Sequence, residues 1–369
     1  MGQAPKGASY NKDGVGAPLI AGAGDFGELF PETSKFTTEP TKLSCRDEII
    51  LCIRATIGER NWADGEYCLG RGVAGLIARS DILDQRYLWH WLAHAGPSLK
   101  AKGKGATFLQ VSKADIASME IPLPPLEEQR RIASILDKAD ALRAKRREAI
   151  AKLDQLLQSV FLDMFGDPVI NPMEWGKVSF ADVVYFQEGP GVRKWQFRSN
   201  GVKLINVINI VDGELDLSRS SRYLDTDEVT QNYQRFLLET GDYVMSSSGV
   251  TWGKIAEVRS EHLPLCLNTS MIRLRPRDER IKKQYLRAFI EGPSFRQQIR
   301  RLITGSAQPN FGPSHLNKLK IPLPPVDLQE KFSNRTLSVI KQKQSCEIQL
   351  KQINKLFAAI QQRAFAGQA

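Results

Sequence analysis

Long apolar runs are missing from this sequence of 369 residues. No stretch approaches the roughly 18 to 20 uncharged apolar residues that a membrane-spanning helix needs, and the N-terminus has no apolar core of a secretory signal. We therefore expect a cytoplasmic protein. Cysteine is also scarce, and its five residues without CxxC spacing indicate neither a disulfide framework nor a zinc site. We expect all five to be reduced core residues: Cys45, Cys52, Cys68, Cys266 and Cys346.

Recognisable catalytic motifs are missing as well. The sequence contains no Walker A motif and no acidic pair in a nuclease arrangement. The stretch "GAGDFG" at 22–27 matches the dinucleotide-binding glycine pattern, but Pro31 follows too soon for the helix that this fold needs. His90 and His94 have the spacing of a zinc pair, yet the Glu of the HExxH motif is absent. We therefore predict no catalytic residues, no metal, and a binding or scaffolding role.

Positive charge is present but unevenly distributed, within a net charge of +10. Residues 1–120 contain 14 basic and 14 acidic side chains, and residues 121–167 contain eight of each. Residues 168–325 contain 22 basic and 16 acidic side chains, and residues 326–369 contain seven and three. A positive excess favours a polyanionic partner, and only the second half of this chain carries it.

The pentapeptide "IPLPP" occurs twice, at 121–125 and at 321–325. Residues on its C-terminal side repeat at the same distance of 200 positions, for example Gln129 with Gln329. Residues on its N-terminal side repeat more loosely but in the same order. An ordered repeat of this length indicates an internal duplication.

A long segment with helical periodicity follows each pentapeptide. In 126–167, apolar residues recur every seven positions in two rows that lie three residues apart, which is the a/d pattern of a coiled coil. The segment 326–369 has the same heptad phase. We predict that the two helices form a common core from these residues: Ile132, Ile135, Leu142, Leu153, Val160, Phe332, Val339, Ile353 and Ile360.

The length of these helices constrains the architecture. A helix of about 40 residues spans roughly 60 Å, more than one small domain can cover. An antiparallel pair is the simplest arrangement, because a parallel pair would need a long traverse of the chain between the helices. We therefore expect an α+β protein in which two mixed α/β domains are joined by two long antiparallel coiled-coil helices, with a pseudo-twofold internal repeat.

The two globular parts differ at their beginnings. The second has "WGKVSFADVVYFQEGPG" before its first glycine turn, whereas the first begins at Met1, close to the equivalent turn. The first domain thus lacks about a strand's worth of residues, and we expect the coding sequence to begin upstream. The predicted parts are a first globular domain at 1–120, a central helical repeat at 121–167, a second globular domain at 168–325 and a C-terminal helical repeat at 326–369.

Polar loops occupy matching places in the two repeats, at 53–60 and 246–254 and again at 103–110 and 305–312. Gln, Asn, Ser, Thr and Arg side chains can read base edges, and Lys and Arg can hold phosphates. Each loop could equally be a solvated turn. The predicted DNA contacts are Lys6, Tyr10, Arg54, Arg60, Lys102, Lys104, Gln110, Arg193, Lys194, Ser247, Ser248, Thr251, Trp252, Lys254, Gln308 and Asn310.

The stretches "GSAQPNF", "IPLPPLEEQRRIASILD" and "MFGDP" resemble hallmarks of the DNA-specificity subunit of type I restriction-modification systems. The resemblance covers nearly the whole chain, as two target-recognition domains that are each followed by a helical repeat. It implies a non-catalytic subunit that reads a bipartite site in double-stranded DNA with a fixed spacer. It further implies two modification subunits that methylate adenine with S-adenosylmethionine, and restriction subunits that use ATP and Mg²⁺.

Two other hypotheses stay open at this point. The chain could be a coiled-coil adaptor whose globular parts bind protein and do not read DNA. It could also be a methyltransferase or nuclease that carries its own recognition domains, although the missing catalytic motifs argue against this. DNA binding that weakens steeply as the salt concentration rises would distinguish a DNA reader from an adaptor.

Overall fold

The computed structural model describes residues 1–105, 108–249, 251–303 and 310–365. The chain divides into two compact units. Unit 1 comprises Met1–Glu148 and Cys346–Ala369, and unit 2 comprises Ala149–Ser345. Both units mix short strands with helices, and each contains part of both long helices, which confirms the predicted α+β class. In the described ranges, no helix has the length and apolar character needed to cross a membrane.

Unit 1 contains two small sheets, with strand orders β1-β3-β2-β6 and β5-β4-β7. Its strands are β1 (Tyr10–Asn11), β2 (Ala17–Ile20), β3 (Phe36–Thr37), β4 (Ile49–Cys52), β5 (Arg60–Trp62), β6 (Cys68–Leu69) and β7 (Val73–Leu76). Its helices are α1 (Gln85–Ala101), α2 (Lys113–Ala117), the first part of α3 (Leu126–Phe165) and the last part of α9 (Val326–Phe365). The central strand β4 is buried along its whole length, as expected for an apolar run that is covered on both faces.

Unit 2 contains more strands than unit 1. Its larger sheets are a four-stranded sheet of order β15-β14-β17-β9 and a three-stranded sheet of order β13-β10-β16. Its strands are β8 (Lys177–Ser179), β9 (Val184–Glu188), β10 (Val202–Ile205), β11 (Ile210–Val211), β12 (Glu214–Leu215), β13 (Tyr223–Leu224), β14 (Tyr243–Ser246), β15 (Ile255–Glu257), β16 (Leu265–Leu267), β17 (Met271–Pro276) and β18 (Lys320–Pro322). Its helices are the last part of α3, α4 (Phe180–Val183), α5 (Thr226–Glu228), α6 (Lys283–Glu291), α7 (Pro293–Leu302), α8 (Pro313–Leu316) and the first part of α9.

A buried glutamine shows the internal duplication at atomic detail. The side chain of Gln129 accepts a hydrogen bond from the N–H of Asp84 at 2.8 Å and donates to the carbonyls of Ile82 and Pro124. Gln329 makes the same three bonds in unit 2, with Lys282, Arg280 and Pro324. In both units this amide ties the start of a long helix to the loop that precedes a domain helix.

The long helices run antiparallel where they meet in unit 2. The rings of Phe165 on α3 and Phe332 on α9 lie 5.2 Å apart, and Lys343 Nζ lies 2.5 Å from Asp154 Oδ1. Moving eleven residues forward along α3 therefore moves eleven residues backward along α9. The two helices pack as the sequence predicts for an antiparallel pair.

In unit 1, the end of α9 joins the domain core beside the start of α3. Arg143 Nε donates to Asn354 Oδ1 at 2.7 Å, and the Arg143 guanidinium lies 4.5 Å from the centre of the Phe357 ring. Phe365 packs edge-on against Tyr87 of α1, with ring centres 5.2 Å apart. The C-terminal helix is thus an integral part of the unit 1 core.

The buried face of α3 differs from the predicted one. Ile132, Leu153 and Val160 are buried or half-buried as expected, but Ile135 and Leu142 are 36% and 50% exposed. The second inward row lies four residues after the first, and comprises Leu136, Arg143, Ile150, Leu157 and Met164. Both candidate rows have heptad spacing, so periodicity alone could not distinguish them. On α9 the predicted residues are all buried or half-buried: Phe332, Val339, Ile353 and Ile360.

The cysteines follow the prediction with one correction. All five are free thiols, and Cys45 is exposed because it lies in the turn before β4, outside the core. The other four are buried. Burial raises the pKa of the Cys266 thiol to about 12, which makes it an unreactive core residue at neutral pH.

Candidate nucleic-acid interface

A β-hairpin loop and a second segment meet at one edge of unit 1. The loop connects β4 to β5, and its tight turn places Ala55 and Gly58 at φ of +58° and +98°. Arg54 pairs with Gln110 in an isolated antiparallel bridge, and Gln110 forms two backbone hydrogen bonds with Lys104. Gln110 and Lys104 are therefore brought close to Arg54, from which both are distant in sequence. Lys102 lies nearby, where its Nζ donates to Ser118 Oγ at 2.9 Å.

Unit 2 repeats this construction. The loop from β14 to β15 turns at Gly249 and Gly253, with φ of +82° and +79°. Ser248 pairs with Asn310 in an isolated antiparallel bridge, which is the equivalent of the Arg54 bridge in unit 1. Thr251 and Lys254 are exposed on the loop, and Gln308 lies outside the described residues. The duplication therefore places the same loop pair on both units with different side chains.

The loop pair of unit 1 borders an open cleft of about 780 Å³. The glycine-rich turn after β2, at 22–24, also lines this cleft. Two guanidinium groups, from Arg54 and Arg71, line the cleft together with the carboxylate of Glu59 and the exposed ring of Phe108. Arg54 Nε is buried and has no hydrogen-bond partner among the described residues. A donor fork, an acceptor and an aromatic ring are the groups that read and stack on bases.

Unit 2 also carries an exposed basic turn. Arg193 and Lys194 are exposed, and the next residue, Trp195, is 72% exposed. Buried Gln196 holds the turn, because its Oε1 accepts from the N–H of Arg193 at 2.8 Å and its Nε2 donates to the Tyr233 hydroxyl at 2.9 Å. The turn therefore presents an aromatic ring and two cations to solvent on a fixed support.

Trp195 was missed by the sequence analysis. The signal was present in "RKWQFR" at 193–198, where an aromatic residue lies among basic ones. Sequence could not show that Trp195 points outward while Phe197, two residues later, is partly buried. An exposed Trp beside cations is a typical stacking residue for nucleic acid.

The equivalent turn in unit 1 presents fewer groups that could contact nucleic acid. It comprises Gly7–Ser9, with Lys6 exposed before it and Tyr10 exposed after it. The Tyr10 hydroxyl donates to the carbonyl of Pro5 at 3.2 Å, and Ala8 occupies the position that corresponds to Trp195. Unit 1 thus carries one cation and no tryptophan where unit 2 carries two cations and an exposed indole.

Three predicted contact residues are wholly or partly removed from solvent. Ser247 and Trp252 are buried, and the Trp252 ring packs edge-on against Phe311 with ring centres 5.7 Å apart. Arg60 is half-buried and its guanidinium lies 4.2 Å from the centre of the Trp89 ring. Burial lowers the pKa of Arg60 to about 10. In this conformation Ser247 and Trp252 support the loop and do not reach its surface, which corrects the prediction for both.

His90 and His94 have separate roles in unit 1. Buried His90 donates from Nε2 to Asp137 Oδ1 on α3 at 2.8 Å, and Asp140 Oδ2 lies 4.0 Å from its Nδ1. Exposed His94 packs beside the Phe365 ring, with ring centres 5.5 Å apart. Over the ranges that the structure describes, no group of three or more His, Cys, Asp or Glu residues could hold a metal ion.

Unit 1 is expected to lose stability below neutral pH through His90. Burial lowers the pKa of His90 below its ordinary value of 6.5, against an opposing effect of Asp137. Protons therefore bind the unfolded state more tightly, so the stabilisation is complete above pH 6.5 and is lost as the pH falls below it. The free energy of unfolding, measured with urea at pH 7.5 and at pH 5.5, should fall more between these pH values for the natural protein than for His90→Gln. The exposed matched control His94→Gln should behave like the natural protein, and an unchanged pH slope in His90→Gln would contradict the assignment.

Comparisons with known proteins agree with one another. The family described as type I restriction modification DNA specificity domain matches residues 22–152 and 172–355. The MjaX specificity subunit of Methanocaldococcus jannaschii is 36% identical over 165 residues, which is 44% of this chain and 39% of that protein. The type I restriction enzyme MjaVIII specificity subunit of the same organism is 28% identical over 74% of this chain and 69% of its own length.

A solved structure shares the fold. The S subunit of a type I restriction-modification system from M. genitalium superposes with a TM-score of 0.60 at 14% sequence identity, over 99% of this chain and 92% of that one. The alignment with the MjaX protein spans about two fifths of that protein, whereas the family match extends over most of this chain. The chain therefore belongs to the type I restriction-modification DNA specificity family, and the curated proteins that it resembles are specificity subunits.

Proposed function

We propose that each unit reads one half of a bipartite site in double-stranded DNA, with an unread spacer of fixed length between the halves. The observation that carries this proposal is the duplicated loop pair, in which Arg54 with Gln110 and Ser248 with Asn310 occupy equivalent bridges. Two half-sites of different sequence require equivalent backbone arrangements that carry different side chains. Base-edge contacts specify sequence, whereas contacts to phosphates position the protein.

In this proposal the two units bind their half-sites through different kinds of contact. Unit 2 carries the exposed turn of Arg193, Lys194 and Trp195, and its recognition loop has Lys254 where that of unit 1 has Glu59. Contacts of unit 2 to phosphates therefore contribute more of the salt-dependent affinity. Unit 1 relies more on the shape and hydrogen-bonding groups of its cleft.

The outward faces of the long helices are proposed to bind the modification subunits. The apolar row that the helix pair leaves uncovered on α3 includes Ile135, Leu142 and Leu156, and on α9 Leu356 is also exposed. Apolar rows on helices are typical surfaces for partner helices. In the assembled system, S-adenosylmethionine, ATP and Mg²⁺ would be bound by the modification and restriction subunits, and adenine would be extracted from the stack by the modification subunit.

Methylome sequencing tests the proposal. A host that expresses this chain with its neighbouring modification subunit should show N6-methyladenine in a bipartite motif with one spacer length, absent from the host without this chain. Arg54→Ala should relax or abolish one half of the motif and leave the other half unchanged. The matched control Arg79→Ala removes an exposed arginine outside the cleft and should leave the motif intact.

Two results would count against DNA reading by this chain. No new motif, despite confirmed assembly with the modification subunit, would support the adaptor hypothesis. Methyl transfer by the purified chain alone would show instead that the chain is a methyltransferase with its own recognition domains.

A further inference from the structure

The helix α7 of unit 2 carries positive charge that no acidic residue near it in the sequence balances. Residues 292–326 contain five Lys or Arg residues and no Asp or Glu. Three of the five lie on α7, where Arg296 is half-buried and Arg300 and Arg301 are exposed. None of the three was among the DNA contacts predicted from the sequence. The helix is therefore a cationic element for which the sequence analysis gave no role.

Ion pairing distinguishes these cations from the arginine on the preceding helix. Arg287 of α6 pairs with Glu291 at 3.0 Å. Among the described residues, Arg300 and Arg301 have no ion-pair partner. Arg296 and Arg300 are four residues apart, a spacing at which like charges on a helix repel each other. A bound ligand with negative charge would therefore stabilise this face of α7.

The opposite face of α7 fixes the helix to its domain. Phe295 and Ile299 are fully buried in the core of unit 2. Gln298 ties the helix to β18, because its Nε2 donates to the carbonyl of Lys320 and its Oε1 accepts from the N–H of the same residue, both at 2.9 Å. The helix backbone thus has a fixed support, and the two exposed arginines extend from it into solvent.

The helix α7 contacts the loop that connects β14 to β15. The Arg296 guanidinium lies 5.6 Å from the centre of the Trp252 ring. Gly253 lies against the same guanidinium, since a Cβ at this position would be 3.7 Å from Arg296 Nη1. Arg300 follows Arg296 by about one helical turn, or roughly 6 Å along the helix axis. The exposed arginines therefore begin one turn away from a side chain that touches the loop.

Unit 1 has part of the same arrangement. Lys100 of α1 and Arg296 of α7 each lie two residues after a "GPS" stretch, and Lys100 is exposed. The loop from β4 to β5 also contacts this helix, because a Cβ on Gly58 would be 3.1 Å from Gly96 Cα. Both copies thus place a basic helix residue close to the equivalent loop, and unit 2 adds the two exposed arginines.

We propose that the exposed face of α7 binds phosphates of the DNA backbone beside the bases that the loop from β14 to β15 reads, with Arg300 and Arg301 as the contact residues. This inference rests on the proposed reading of DNA by unit 2. A guanidinium presents a planar fork of donors that matches a phosphate. Contacts to phosphates position a protein on the duplex but carry no sequence information. The helix α7 therefore contributes affinity, and the loop contributes specificity.

The double variant Arg300→Gln with Arg301→Gln tests this surface in the full chain, by fluorescence anisotropy with mixed-sequence duplex DNA across a salt series. Loss of two phosphate contacts should reduce the slope of log affinity against log salt by about 1.8, and should weaken binding roughly tenfold or more at about 0.15 M salt. Arg300→Lys with Arg301→Lys keeps both charges and should retain most of the slope. The matched control Lys331→Gln with Arg335→Gln removes the same charge from exposed positions on α9 and should leave the slope nearly unchanged.

An unchanged slope in the glutamine variant, or an equal loss in the α9 control, would overturn the proposal. Normal DNA binding combined with lost assembly with the modification subunit would also overturn it, since the surface would then bind protein. In the methylome, the glutamine variant should lower the extent of methylation without altering the motif, and a changed base in the motif would contradict a role limited to phosphates. If the natural chain binds no duplex DNA, the proposed function fails as well, whereas DNA binding that is insensitive to these two arginines contradicts this inference alone.

Discussion

Replacing Arg193, Lys194 and Trp195 together by alanine is expected to weaken duplex DNA binding roughly a hundredfold at about 0.15 M salt. The three side chains lie on one exposed turn that buried Gln196 holds in place, so their removal does not disturb the core. Each lost phosphate contact should also reduce the slope of log affinity against log salt by about 0.9.

Fluorescence anisotropy across a salt series measures both quantities. The double variant Lys351→Ala with Lys355→Ala removes the same charge from exposed positions on α9, and we expect it to change affinity much less. Trp195→Ala alone should weaken binding while leaving the salt slope unchanged, because stacking releases no counterions. Equal losses in the triple variant and the α9 control would mean that only net charge matters and that this turn is not a DNA contact.

Phe165→Ala is expected to destabilise unit 2 by about 3 to 5 kcal/mol, the usual cost of removing a buried aromatic ring. The ring lies within 5.2 Å of the rings of Phe161, Tyr285 and Phe332. It therefore connects α3, the domain helix α6 and α9 in one cluster. Urea unfolding monitored by circular dichroism should show an earlier transition for unit 2, with the transition of unit 1 little changed.

The matched control is Leu156→Ala on the exposed face of the same helix. In the isolated chain it should change the free energy of unfolding by less than about 0.5 kcal/mol. It should nevertheless weaken assembly with the modification subunit, which gel filtration or light scattering would detect. A large stability loss from Leu156→Ala, or none from Phe165→Ala, would contradict the observed orientation of α3.

Local patterns in the sequence were sufficient for several features of the fold. A periodic apolar run without proline specifies a helix by itself, and α3 and α9 extend over 40 residues each as expected. The repeat of Gln129 at Gln329 indicated that two equivalent environments exist, and their hydrogen bonds are identical in kind. The sequence did not predict that Arg54 lies beside Gln110, because only the folded chain brings these two distant residues together.

Other features depended on contacts between distant parts of the chain. Two apolar rows on α3 fit the heptad pattern equally well, and packing against α9 and α1 decided that Leu136 is buried while Ile135 is exposed. Ser247 and Trp252 lie in a polar loop sequence, yet the pairing of that loop with the segment at 310–311 buries both. Burial is a property of the assembled neighbours, so residue type at one position cannot determine it.

The sequence by itself determined the duplication, the two long helices, the mixed α/β character and the family, because each is written in order, spacing or periodicity along the chain. The tertiary structure decided which helix face is inward, that Trp195 is presented to solvent, and that Ile321 is fully buried while Ile121 is half-buried. The physical reason is that burial and strand pairing are set by residues far apart in sequence. Two identical copies of "IPLPP" differ in exposure for this reason alone.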